Sequence, residues 1–353
     1  MPENNEEALK SGNNIISKKK ATYPINKALR HYLKTFDRET QVPCNYKSLL
    51  RYSFSMPLID QQGKDTLWET VFYDEHERSE LYGALTRIYA IIKNAGDVSV
   101  MEHLQVDRVD YCTFGNSNPF RVKIINTFND NYDYFYVKLA DASRIYGLEL
   151  EHILSPNRIN YIVDHSTLIE EHIAGIPGDQ FIQKYLDTAD VNETRIAKEF
   201  VKFNERCFIK LLGDMRAYNF VVDITPDFDD TQYRIRAIDF DQQCYEGRKT
   251  IYLPQFFKEN NAYVQLCIKR LNAETVRQYQ SEEQSLIAGR IRTSHYRMKE
   301  LLDVMEQDTL SDTPKIHQLR QELADHYQNN DFLGCQTMGE IVKNSLRIVL
   351  RKH

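Results

Sequence analysis

The sequence is poor in most features that would settle its class at sight. No window of 18 apolar residues occurs in its 353 residues, so no membrane span is expected. Thirteen glycines and ten prolines are too few for collagen-like or Pro/Gly low-complexity material. The basic excess of a dedicated nucleic-acid binder is missing: 45 Lys and Arg stand against 51 Asp and Glu, a net charge of −6. The six cysteines (Cys44, Cys112, Cys207, Cys244, Cys267 and Cys335) form no CxxC and no zinc-like Cys/His spacing. Scattered thiols of this kind are mostly buried small hydrophobes, which makes a reducing, cytoplasmic location the expectation. HExxH, Gly-x-Ser-x-Gly and the Walker glycine-lysine loop are also lacking.

What is present is an ordinary globular balance, 42% apolar and 27% charged, with 11% aromatics that exclude disorder over the whole chain. The first residues hold no apolar run of signal-peptide length, and three acids fall within the first seven. Residues 1–22, including Lys18-Lys19-Lys20, read as a solvated polar tail. Residues 23–100 read as a mainly helical extension, with helices over 25–38 and 76–94 and a short strand over 67–73. From 101 to 175 the pattern is three strands (106–114, 120–127, 132–139), a helix (141–154) and two strands (159–164, 167–173). From 176 to 353 it is mainly helical, interrupted by strands at 219–224 and 233–240. The acidic run 227–230 between those strands reads as a hairpin tip.

Within this outline one stretch carries chemistry. Gly213-Asp214-Met215-Arg216-Ala217-Tyr218-Asn219 ends a helix and leads into a strand, and Ile238-Asp239-Phe240 ends another strand twenty residues on. Acids at strand ends are costly to bury unless they are paired or hold a metal. Oxygen donors such as Asn219 and Asp239 suit Mg²⁺, which prefers one or two carboxylates plus substrate phosphates.

Asp-x4-Asn followed by a strand-borne Ile-Asp-Phe resembles the catalytic core of the protein-kinase-like superfamily, closest in flavour to aminoglycoside-phosphotransferase-type and lipid-kinase-type small kinases. The resemblance spans roughly residues 106–245. It implies an α+β, two-lobed fold: a small antiparallel sheet lobe with one helix, then a larger mainly helical lobe, here preceded by the N-terminal helical extension. It further implies ATP and Mg²⁺ as cofactors and transfer of the γ-phosphate to a hydroxyl of an unidentified acceptor. Carried onto these positions, Asp214 orients the attacking hydroxyl, Arg216 touches the transferred phosphate, and Asn219 and Asp239 hold metal. Lys138, on the third strand, would hold nucleotide phosphates and pair with a glutamate of the following helix, Glu149 or Glu151, with Glu149 favoured. Gly115, Asn116 and Ser117 would form the loop over the phosphates, or an ordinary hairpin turn. Glu171, His172 and Ile173 would present backbone to the adenine edge, ahead of the Gly175-Ile176-Pro177-Gly178 linker. The sequence departs from the family pattern at Leu212, Asp241 and the glycine-poor 115–119 loop, which leaves open a pseudokinase-like binding or scaffold module.

Overall fold

A computed structural model of the chain describes residues 20–60, 62–94, 102–113, 115–186, 188, 191–226 and 231–353. The tail before Lys20 and the acidic run 227–230 lie outside the described residues. The fold is α+β and two-lobed: a large antiparallel sheet followed by a mainly helical lobe, consistent with the kinase-like expectation.

The chain enters through α1 (Lys27–Thr35) and α2 (Tyr46–Leu49). Each starts on an asparagine whose side chain accepts an otherwise orphaned amide: Asn26 from Leu29 and Asn45 from Ser48. Then come β1 (Phe54–Ile59), β2 (Asp65–Phe72) and α3 (Glu75–Asn94), whose first turn carries Glu75 and Glu77 and whose last carries Lys93, matching the helix dipole. Strands β3 (Leu104–Tyr111), β4 (Phe120–Asn126) and β5 (Tyr132–Leu139) follow, then α4 (Ala142–Leu154), β6 (Tyr161–Asp164) and β7 (Thr167–Glu171). All seven strands form one sheet in the order β1-β2-β3-β4-β5-β7-β6, every neighbour antiparallel.

Strand alternation sorts the side chains of this sheet. Phe120, Val122, Phe135, Val137 and Ile169 share one face and are buried with Leu81, Leu85, Ile88 and Ile92 of α3. The opposite face carries Arg121, Tyr136, Lys138 and Glu170 and looks toward the helical lobe. A polar face on a central strand is therefore built in, and it forms one wall of a cleft.

The helical lobe begins with β8 (Ile176–Pro177), α5 (Gly178–Lys184) and α6 (Glu193–Lys210). After the turn at 211–219 come β9 (Phe220–Pro226) and β10 (Thr231–Ala237), which with β8 make a second sheet in the order β10-β9-β8. Helices α7 (Asn261–Arg270), α8 (Ala273–Thr293), α9 (His295–Glu306), α10 (Thr313–Tyr327) and α11 (Met338–Lys352) complete it. Among the described residues no helix is long and apolar enough to cross a membrane.

Three expectations need correction. The N-terminal extension is not a separate helical unit: α1 buries Leu29 and Leu33 in the helical lobe's core, while β1 and β2 lengthen the sheet and α3 covers it. The sheet lobe is accordingly larger than expected, with α3 packed on it in addition to α4. The solvated tail does not reach residue 22 either, because the Lys20 side chain is buried against Asp141.

Candidate functional site

The cleft wall is organised around Lys138. Its Nζ donates to Glu170 Oε2 at 2.8 Å. Arg144, in the first turns of α4, grips the same carboxylate with Nε and, at 2.8 Å, with Nη2, while its Nη1 reaches Asp239 Oδ1 at 3.0 Å and Asp241 Oδ1 at 2.7 Å. Lys138, Arg144, Glu170 and Asp241 are buried. Burial resists charge on Glu170, yet Arg144 and Lys138 outweigh it and hold the carboxyl down at about 2. Burial, then neighbouring Arg144, pushes the Lys138 amine down. Burial and the adjacent Asp241 push the Asp239 carboxyl up.

The helix partner expected for Lys138 is replaced. Glu149 is buried on another side of α4, accepting from Tyr32 Oη at 2.6 Å, Tyr161 Oη at 2.7 Å, Arg38 Nε at 3.1 Å and Arg297 Nη2 at 2.7 Å. Glu151 pairs with Lys210 of α6. The reason lies in strand register. Lys138 stands opposite Leu168, and Glu170 is its diagonal neighbour on β7, within reach of a long side chain. Arg144 and Glu170 were missed from sequence. The available signal was an arginine inside a helix whose spacing is apolar nearly all round; twelve of the thirteen α4 residues are buried.

The 211–219 turn sits at the other side of the cleft. Leu211 caps α6 in the left-handed region at φ 55°, and Asp214 is also left-handed at φ 57°. This conformation suits a capping or catalytic turn better than a helix interior. It is fastened by Gly213 N donating to Gln242 O at 3.2 Å and Asp214 N to Ile251 O at 3.1 Å. Asn219 Nδ2 donates to Asp214 O at 2.7 Å, and Ile238 N donates to Asn219 O at 3.0 Å, so Asp214, Asn219 and Asp239 are brought together. Arg216 donates through Nε to Asp214 Oδ1 at 2.7 Å and through Nη1 to Glu259 Oε1 at 2.9 Å, with its guanidinium over the Phe257 ring. Burial raises the Asp214 carboxyl above the usual range despite Arg216.

Gly115, Asn116 and Ser117 form a tight turn rather than an open flap. Asn118 N donates to Gly115 O at 3.2 Å, Cys112 N to Pro119 O at 3.0 Å, and Leu139 N to Ser117 O at 3.4 Å. The loop therefore lies directly over the end of β5. At the other end of the cleft, Glu171 N donates to Asn160 O and His172 N to Tyr134 O, so these two amides serve the sheet; Ile173 lies beyond it and is buried in the main core.

Fold and site together define a two-lobed α+β protein with a buried charge network in its interlobe cleft. No protein-family model matches the chain, and no curated protein does. Among solved structures it is similar to titin kinase with its flanking domains, at 13% identity and a TM-score of 0.27 over 68% of this chain and 54% of that one. It is also similar to the autoinhibited serine kinase domain of the giant muscle protein titin, at 11% identity and a TM-score of 0.28 over 69% and 92%. The chain thus spans about half the length of the first.

Proposed function

We propose that this chain is an ATP- and Mg²⁺-dependent phosphotransferase that passes a γ-phosphate to a hydroxyl of a small molecule or protein. The observation that carries the reading is convergence. The Lys138–Glu170–Arg144–Asp239 chain of contacts joins the β5 lysine to the strand-end aspartate, and the Asn219 bonds tie Asp214 to the same spot. The residues present fit Mg²⁺. Asp239 uses Oδ1 toward Arg144, and its carboxylate and the Asn219 amide are the hard oxygen donors Mg²⁺ takes. When bound, the metal supplies charge neutralisation on the phosphates. Lys138 can turn to a phosphate without orphaning Glu170, because Arg144 holds both oxygens of that carboxylate. Asp214, its pKa raised by burial, orients and accepts the proton of the acceptor hydroxyl.

One observation favours a second reading, a nucleotide-binding scaffold without transfer. Lys138 and Arg144 are already neutralised by Glu170, Asp239 and Asp241, so an incoming polyphosphate must compete with three carboxylates. Thermal shift with ATP, with and without Mg²⁺, and ATP turnover against pooled hydroxyl acceptors separate the two. Asp239→Asn is expected to remove the Mg²⁺-dependent part of the shift. Asp214→Asn is expected to keep it while lowering turnover about 10³-fold, within the range of general-base catalysis. A wild-type shift without turnover selects the scaffold; an Asp239→Asn protein that binds Mg·ATP and turns over normally sinks the metal assignment of Asp239.

A further inference from the structure

Lys20 lies outside every segment that resembles a kinase core, yet it is placed in the cleft. Its ammonium donates to Asp141 Oδ2 at 2.6 Å and to the backbone oxygen of Asp241 at 2.7 Å, and its side chain is only 3% exposed. Its backbone N donates to Asn116 Oδ1 at 3.3 Å. The Tyr245 ring lies 5.3 Å from the ammonium. Three residues on, Tyr23 N donates to Asp141 Oδ1 at 2.8 Å, and Ala142 N donates back to Tyr23 O at 2.9 Å. The segment is thus stitched to the start of α4 by side chain and backbone alike.

These partners belong to both lobes. Asn116 and Asp141 are on the sheet side; Asp241 and Tyr245 are on the helical side, two and six residues past Asp239. A lysine is buried only where its charge is matched, and here the match is split across the cleft. A small cavity opens at this point, lined by Lys20, Thr22, Ser117, Leu139 and Asp241. Charge tells the same story. Asp141, Glu170, Asp239 and Asp241 are four carboxylates; Lys138 and Arg144 answer two of them, and Lys20 is the third cation. Without it, an anionic ligand enters a cleft with two uncompensated negative charges.

We propose that Lys20 is a positioning residue of the cleft: an interlobe strap that fixes the 115–118 turn against the Asp239–Asp241 turn and supplies the third cation for a polyphosphate ligand. Its ligand role rests on the nucleotide reading above; its strap role does not. The test uses the full chain carrying Lys20→Ala, Lys20→Arg or Asp141→Asn, with Mg·ATP as the probe in titration calorimetry and amide hydrogen exchange read at 115–118 and 240–244. Lys20→Ala is expected to weaken Mg·ATP binding about tenfold, the scale of one charge-assisted hydrogen bond, and to speed exchange in both segments. Lys20→Arg is expected to recover most of both. Asp141→Asn loosens the strap from the α4 side and is expected to speed exchange in the same two segments, which keeps the test alive if Lys20→Ala folds poorly. Unchanged or tighter Mg·ATP binding in Lys20→Ala overturns the ligand role, a tighter value marking Lys20 as a plug. Unchanged exchange in both variants overturns the strap. A wild-type chain that binds no nucleotide sinks the nucleotide reading and the ligand role with it, while the exchange data still decide the strap.

Discussion

At the scale of single residues, the cleft distributes its charges unequally, and that inequality is testable. Arg144 serves three carboxylates, whereas Lys138 serves one that Arg144 already holds. Lys138→Met replaces a buried cation by an apolar side chain of similar length, and its cost to stability is expected to stay within about 1 kcal/mol. Arg144→Met leaves Asp239 and Asp241 facing each other without a cation and is expected to cost about 3–5 kcal/mol, the scale for orphaning a buried charge. Urea denaturation of the two variants checks the order; a larger loss for Lys138→Met would contradict the geometry. Lys138 and Asp239 stand out in the sequence because each breaks a local rule, a charge in an apolar strand and an acid at a strand end; Asp214 and Asn219 stand out only through the Asp-x4-Asn resemblance. Glu170 does not, because an acid at the edge of an apolar strand looks solvated until register places a lysine on its diagonal. Lys20 was hidden in a three-lysine run whose composition reads as tail.

At the scale of elements, the Asp214–Asn219 turn is held from behind by α5. A Cβ built on Gly178 would sit 2.4 Å from the Phe220 ring and 2.6 Å from Ala217 O. Glycine is required there by close approach, and Ala217 belongs to the Asp214–Asn219 turn. Gly178→Ala is expected to cost about 3 kcal/mol by overpacking and to lower turnover further by displacing that turn. Chemical denaturation checks the first part and turnover normalised to folded protein the second. The elements of the cleft itself were readable in order, since alternation marks β3 to β5 and helical spacing marks α4. Strand β1 was not anticipated: Phe54–Ile59 carries Pro57 at its middle, which argues against a central strand. Its place at the sheet edge resolves the conflict, because an edge strand needs only one set of ladder hydrogen bonds.

At the scale of the whole molecule, a half-buried histidine and a buried glutamate set separate acid windows. His152 is held neutral, its pKa lowered by burial from 6.5 to about 4. Below pH 6.5 the unfolded chain takes up a proton that the folded chain refuses, so stability falls as pH drops from 6.5 to about 4. Glu170, at about 2 instead of 4.5, contributes stability that is present above pH 4.5 and lost as pH falls toward 2. Urea midpoints followed from pH 8 to pH 3 are expected to decline in both windows, and His152→Gln is expected to flatten the first while leaving the second. A variant whose profile matches wild type above pH 4.5 would remove His152 as the cause.

The Glu149 cluster also sets a clock. Its carboxylate draws partners from α1, β6 and α9, and Arg297 follows it by 148 residues. At a synthesis rate of about 5–20 residues per second, a ribosome needs roughly 7–30 s to deliver that arginine after Glu149 has emerged. Until then Arg38, already synthesised, balances the charge alone, and the two-pronged contact from Arg297 of α9 is still to come. The small lobe can assemble its sheet early, but the α4–α9 contact at Glu149 closes only once Arg297 has emerged.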